Sequence, residues 1–446
     1  MNFIPNVSSK QELLEELHLQ SIDELFVDVP HQIRIKNLNL PPGLNQQETE
    51  EKLKKIANKN KPCSMMPSFL GGGIKHHYIP AAVKTIVSRS EFYTAYTPYQ
   101  PEASQGFLQA MFEYQSMICE LTGMDVANAS LYDGATALGE AALMCSRINN
   151  KKTFLVPTNV SWDKRCVLRN YTKGAGITIK EIPYDQKTGK INLNILAQHL
   201  DQTVCGVYLE NPNFFGVFED DVEHLYSLIK ENNALFVVGV DPLSLGIVKN
   251  PGEYHADIVI GEGRNLGNSL DFGGSSLGIF ACKKEYVRQL PGRIIGLTTD
   301  AQGKRAFCMT LQTREQHIRR SKATSNICTN EGLCALTATV YLGLLGGTGL
   351  EKLSRINHKK AVDFCTTVTK IPGFHQEFQA AYFNEIVLRT PDARKVNYTL
   401  FKHGIHGGLP LETMYPELKN CLLFGVTELT TSEDIDYVSK ILSEAF

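Results

Sequence analysis

Between Ser104 and Cys282 the sequence alternates helix-like and strand-like segments, and several of the strand-like ones are apolar without a break. SQGFLQAMFEYQSMICELTG has helical apolar spacing, and GATALGEAALMCSRI makes a second helix opened by a glycine. TFLVP, GITIKEIP, TVCGVYLEN, LFVVGVD and DIVIGEG read as strands. A strand apolar on both faces has to be covered on both faces. Helical stretches such as DDVEHLYSLIKENN supply that cover, so an α/β fold is predicted: a mostly parallel sheet sandwiched by helices. In such sheets ligands lie beyond the carboxyl ends of the strands.

The flanks differ in character. The first 60 residues read as helical, with capping-box spacing at Ser9–Glu12 and Ser21–Glu24, an interruption at LNLPPGL and a charged helix in NQQETEEKLKKIANKNK. Beyond Asn330 a long helical segment leads to the strand AYFNEIVLRT, then to a strand and a helix with Thr430 and Glu433 at box spacing. The expected domains are a helical N-terminal arm (1–66), which either packs on the body or on a partner chain or is a simple extension, a large domain (67–330) and a smaller α+β domain (331–446).

Composition narrows the function. With 21% charged residues and a net charge of −2, the chain lacks the basic balance of a nucleic-acid binder. No apolar run is read as approaching the roughly 20 residues of a membrane span, and the N-terminus lacks a signal-peptide pattern, so no membrane association and a cytoplasmic location are expected. Eleven scattered cysteines without C-x-x-C suit reduced thiols. No metal site is expected, because no ligand pair has zinc spacing and the adjacent His76 and His77 point in different directions.

The turn in DIVIGEGRNLGNSLDFGGSSLGIF (257–280) is laid out like a cofactor site. Its glycines are spaced one residue too far apart for a dinucleotide fingerprint, and a strand rather than a helix follows. Gly134, Ala135 and Thr136 open a helix whose N–H groups could hold an anion. An ordinary glycine-opened helix is the simpler reading, since Asp133 and Glu140 would oppose an anion there. Asp241 ends the run LFVVGVD, and LENPNFFGVFED turns the chain after another buried strand. FYTAYTPYQPEASQG is a proline-stiffened loop carrying Tyr93, Tyr96 and Tyr99. LQTREQHIRRSKATSNICT gathers Arg314, His317, Arg319, Arg320 and Lys322 before Thr324, Ser325 and Asn326, groups suited to an oxyanion.

PSFLGGG, the stretch YTPYQPEASQGFLQAMFEYQSMICELTGMDVANASLYDGATALGEAAL, PGRIIGLTTDAQGK and LQTREQHIRRSKATSNICT together resemble the glycine decarboxylase P-protein of the glycine cleavage system. More narrowly, they resemble subunit 1 of the form split into two chains. The resemblance implies a fold-type-I pyridoxal-phosphate (PLP) transferase-like architecture. In the family's catalytic half, a lysine that binds PLP as a Schiff base follows the strand after the acidic one. Counting back from the glycines at 273, 274 and 278 places that position at Arg264, to within one residue. Asp241, 23 residues earlier, matches the acid that pairs with the pyridine nitrogen. A Schiff base needs an amine able to lose its proton, which arginine cannot do.

The resemblance therefore implies a vestigial cofactor site of Gly134, Ala135, Thr136, Asp241 and Arg264, no catalytic residue on this chain and no covalently bound cofactor. PLP would reside in a homologous subunit 2, in a heterodimer that pairs into a dimer of heterodimers. Glycine is decarboxylated there, with PLP as electron sink, and its aminomethyl group passes to the lipoyl arm of H-protein; T- and L-proteins complete the system. Tyr96, Tyr99, Gln100, Arg320, Thr324, Ser325 and Asn326 would line the partner's pocket across the interface. Two alternatives stay open: a self-sufficient PLP enzyme using another lysine, with Lys322 the candidate, and a purely scaffolding subunit.

Overall fold

The computed structural model of the chain describes residues 9–35, 37–93 and 97–446, in two compact units, Met1–Lys61 and Pro62–Phe446. The first contains helices Lys10–Glu16 and Gln46–Ala57, with short 3-10 turns at Ile22–Phe26 and His31–Ile33. Asn45 and Glu48 cap the second helix reciprocally: Asn45 Oδ1 accepts from the Glu48 N–H at 2.9 Å, and Glu48 Oε2 from the Asn45 N–H at 3.0 Å. Glu24 accepts from the Ser21 N–H at 2.8 Å, whereas Ser9 makes no side-chain cap. Helix is also absent from residues 37–45, where Pro41 and Pro42 remove the donors it needs. Leu14 is the one buried side chain among the described residues of this unit.

The second unit is built on a seven-stranded sheet. Its strands are β1 (Val126–Ala127), β2 (Thr153–Pro157), β3 (Thr178–Ile182), β4 (Val204–Asn211), β5 (Leu235–Val240), β6 (Ile258–Glu262) and β7 (Gly278–Cys282). The order is β1-β7-β6-β5-β4-β2-β3, parallel from β6 to β3, with β7 antiparallel to both its neighbours. Every residue of β2, β4 and β5 is buried, which the uninterrupted apolar runs require. Alternate side chains serve opposite faces. Leu155, Val207, Phe236 and Val238 pack with Ile118, Leu225 and Ala338 from helices on one side. Phe154, Tyr208, Val237 and Ile260 pack with Leu138, Ala141 and Leu168 from helices on the other.

An antiparallel ribbon, β8 (Ile294–Thr299) and β9 (Arg305–Thr310), stands apart from this sheet. A four-stranded antiparallel sheet follows: β10 (His375–Gln376), β11 (Glu385–Arg389), β12 (Leu409–Pro410) and β13 (Cys421–Gly425), in the order β10-β11-β13-β12. The closing helix, Ser432–Ala445, is capped one residue later than expected, by Thr431 and Asp434 at 3.0 and 2.9 Å. Thr430 is used in the turn before it, where its hydroxyl accepts from the Thr427 N–H.

The long helix Gly332–Val368 corrects a second expectation. By length and composition it is apolar enough to cross a membrane, with a mean hydropathy of 1.6 over 18 residues. Its backbone breaks at Gly346, where φ is +57°, and Cys334, Ala335, Ala338, Tyr341 and Leu350 join the sheet's core. Packing gives it the place of a core helix.

Candidate functional site

The carboxyl ends of β4, β5 and β6 open into a cavity of about 300 Å³. Its remaining walls come from the starts of helices Gly134–Asn149 and Trp162–Lys173, from Gly72–Ile74 and from the first residue of β11. This is where a parallel α/β sheet presents polar groups. Gly134, Ala135 and Asp241 line the cavity, and the structure thus brings together three of the five residues expected to form the vestigial site.

The Gly134 helix does present N–H groups toward this space, but the chain's own carboxylates take two of them, those of Gly134 and Thr136. Glu262, at the end of β6, accepts from Gly134 N–H at 3.1 Å and, through its other oxygen, from the N–H groups of Arg264 and Leu277 at 3.0 Å each. Asp133 accepts from Thr136 N–H at 2.7 Å, so Thr136 serves the cap and does not line the cavity. The approach is close: a Cβ on Gly134 would lie 3.3 Å from Glu262 Cβ. Burial pushes the Glu262 carboxyl up, while its three N–H donors pull it back.

Arg264 is buried but turned out of the cavity. Its guanidinium donates to Gly274 O and Ser276 Oγ, both at 2.8 Å, and so braces the loop between β6 and β7. The neighbouring Asn265 lines the cavity instead. Neither residue is a lysine.

Two lysines that sequence reasoning missed do reach this region. Lys75 Nζ lies 3.1 Å from Glu385 and 3.7 Å from Asp241. Burial alone would depress its pKa, but the two carboxylates outweigh that and raise it. Glu385 is also fixed by the N–H groups of Gly72 and Gly73, at 2.5 and 2.9 Å. Lys164, on the cavity wall, is paired with Glu210; burial opposes its charge and the Glu210 carboxylate restores it, so its pKa rises as well. Both amines are held as ammonium ions, the form that cannot attack a carbonyl.

Signals for this set were faint. Glu210 and Glu262 end buried strands as Asp241 does, and Lys75 follows the glycines of PSFLGGG. Glu385, however, lies 310 residues beyond Lys75 and is joined to it only by the fold.

The other candidate residues that are described form a separate place, and none of those lines the cavity. Tyr96 lies outside the described residues. Tyr99 is exposed, its ring 6.1 Å edge-on from His317 and 5.8 Å from the Arg293 guanidinium, which joins the two candidate loops. Gln100, Arg320 and Asn326 are exposed, and the Asn326 side-chain oxygen accepts from Gln316 at 3.0 Å. Thr324 is anchored by its N–H to Arg314 O, and Ser325 donates to the buried Glu140 at 2.7 Å. Arg314, grouped in the sequence with the oxyanion binders, is buried and donates to the carbonyls of Leu311 and Gly292. Lys322, the alternative lysine, is exposed and away from the cavity.

This sheet order, with a smaller antiparallel sheet beside it, defines the fold of the type-I PLP-dependent enzymes; a cysteine desulfurase from Thermococcus onnurineus shares the fold at a TM-score of 0.63 over 87% of this chain and 97% of its own, with 16% identity. A crystal structure of a glycine cleavage system glycine decarboxylase (P-protein), in inhibitor-bound form, matches at a TM-score of 0.92 and 39% identity, covering 100% of both chains. The family model for the glycine cleavage system P-protein matches residues 1–442, and the chain belongs to that family. A relative from Desulfitobacterium hafniense, named "Probable glycine dehydrogenase (decarboxylating) subunit 1", is 47% identical over 439 residues, 98% of each chain.

The cavity does not fit pyridoxal phosphate. At the helix N-terminus that would take a phosphate Glu262 already holds the Gly134 N–H and places a carboxyl group there, both lysines are held by carboxylates, and Asp241 faces the Lys75 ammonium. The wall carries carboxylates from Asp133, Asp163, Glu210, Asp241, Glu262 and Glu385. Against them stand the ammonium ions of Lys164 and Lys75. Such a field repels a phosphate dianion.

Proposed function

We propose that this chain is the half of a two-chain glycine decarboxylase that holds no pyridoxal phosphate, and that a homologous, lysine-bearing subunit 2 carries the cofactor. The two form a heterodimer that pairs again, and lipoylated H-protein accepts the aminomethyl group, with T- and L-proteins completing the system. The observation that supports the reading is the cavity itself: groups that would hold PLP are engaged there by Glu262 and Lys75 of the same chain.

The contribution of this chain lies in its exposed loops. Tyr96, Tyr99 and Gln100 form one wall of the partner's pocket, and Arg320, Thr324, Ser325 and Asn326 the other. The Arg320 guanidinium and the Asn326 amide bind and orient an oxyanion, since both are donors exposed at the surface. The Tyr99 ring, held between His317 and Arg293, excludes water. Cofactor, when bound to the partner, supplies the electron sink for decarboxylation.

Co-purification with a lysine-bearing homologue tests this. The pair is expected to exchange the glycine carboxyl with bicarbonate, and neither chain alone to do so. A borohydride-reducible absorbance band near the visible edge from this chain alone would sink the reading.

A further inference from the structure

We infer that the cavity beyond β4, β5 and β6 binds a small organic ammonium compound that carries no phosphate. Two independent features support this. The first is polarity: six acidic residues line the cavity against one lining lysine, Lys164, with the Lys75 ammonium paired to Glu385 and Asp241 beside it, and of the two helix N-termini at the wall the Gly134 one gives its first N–H to Glu262. The second is an unmet acceptor. Glu210 is 8% exposed and lines the cavity; its Oε1 holds Lys164, but its Oε2 has no hydrogen-bond partner. A buried carboxylate oxygen without a donor is unfavourable, and an incoming N–H satisfies it.

Asp241 offers a second acceptor. Its Oδ2 is ion-paired with Lys75 at 3.7 Å, longer than an ordinary hydrogen bond, so an N–H donor in the cavity can share it. Among the described residues no three carboxylate, imidazole or thiolate groups converge as a metal ion needs. The negative charge is spread along the wall, which suits an extended cation with N–H donors at both ends rather than a point charge. The volume of about 300 Å³ is at the lower end for a small-molecule site and admits a short aliphatic amine.

The test is isothermal titration calorimetry on the full chain without a partner, so that its outcome is independent of the exchange activity above. Three probes are used: 1,4-diaminobutane, tetramethylammonium and inorganic phosphate. Saturable binding of the diamine is expected, with tetramethylammonium, which has charge but no N–H, at least about tenfold weaker. Phosphate should give no heat. Glu210→Gln should weaken the diamine about tenfold, and Asp241→Asn by a smaller factor. Circular dichroism melting checks that each variant folds; should Glu210→Gln fail because Lys164 loses its partner, the double variant Glu210→Gln/Lys164→Met replaces it. Absence of saturable diamine binding, phosphate bound as well as the diamine, or an affinity unchanged by both carboxamide substitutions overturns the proposal.

Discussion

Two places in this chain have the groups to receive an oxyanion, and they are built in opposite ways. At the start of the Gly134 helix, most charges are paired within the chain: Glu262 takes three N–H groups, Glu385 and Asp241 take Lys75, and Glu210 takes Lys164 through one oxygen. At the rim formed by residues 97–100 and 316–326, the backbone is anchored but Arg320, Lys322 and Tyr99 end in solvent. A charge satisfied within its own chain contributes to folding and is closed to a phosphate; a charge left at the surface contributes little to folding and is open to a partner. The same family fold thus carries an inner cavity whose charges are largely paired within the chain and an outer rim whose charges end in solvent.

Breaking a buried pair should show the contrast at its largest. Glu385→Ala leaves the Lys75 ammonium facing only Asp241 at 3.7 Å and strips the acceptor from Gly72 and Gly73. Loss of one partner from a buried pair costs about 3–5 kcal/mol. Urea unfolding of the full chain is expected to show a loss of that size, against no more than about 0.5 kcal/mol for Arg320→Ala on the rim. Equal losses for the two variants would erase the distinction between the regions.

The stretch that brings in Lys75 is pinned a second time, and pH reads that pin. Glu428 accepts from Tyr78 N–H at 2.6 Å and Asn357 at 3.0 Å and lies 2.9 Å from His77 Nδ1. Burial alone would raise its pKa, but these groups, His77 foremost, hold it at about 2. A carboxyl lowered on folding adds stability above its unfolded pKa, near 4.5, and loses it as the pH falls toward 2. The amount is on the order of 3 kcal/mol. Melting temperatures recorded between pH 6 and pH 2 should fall less steeply for Glu428→Gln than for the unaltered chain; parallel curves would show that the pair adds nothing.

The fold was legible because its strands are buried on both faces, so β2, β4 and β5 announce themselves as unbroken apolar runs. Asp241 and Gly134 could be placed for a related reason: each marks the end of a strand or the start of a helix. The charges that close the cavity were not legible. Lys75 meets Glu385, and Lys164 meets Glu210, only after β11 and the start of helix Trp162–Lys173 have been folded against the sheet. Local signals also failed by one position where two like residues compete, as with Thr430 and Thr431: the first is buried and the second caps. In the long helix, an uncharged stretch hid its own break, since a glycine at 346 adopts φ +57° at little cost.

The smallest effect expected is on the rim, and it is the one that separates a working contribution from mere support. Tyr99 touches His317 and Arg293 but no cavity wall, and Asn326 is exposed with one hydrogen bond, to Gln316. Tyr99→Ala and Asn326→Ala should therefore leave the stability of the chain within about 0.5 kcal/mol. In the assembled pair with a lysine-bearing subunit, each should lower the rate of glycine–bicarbonate exchange by about tenfold, equivalent to about 1.4 kcal/mol of lost transition-state stabilisation. Sedimentation of the variants should still report an intact complex. A residue that only holds subunits together would do the reverse, weakening assembly while leaving the rate per intact complex untouched. Exchange unchanged in both variants, with assembly unchanged as well, would reduce the rim to scaffold.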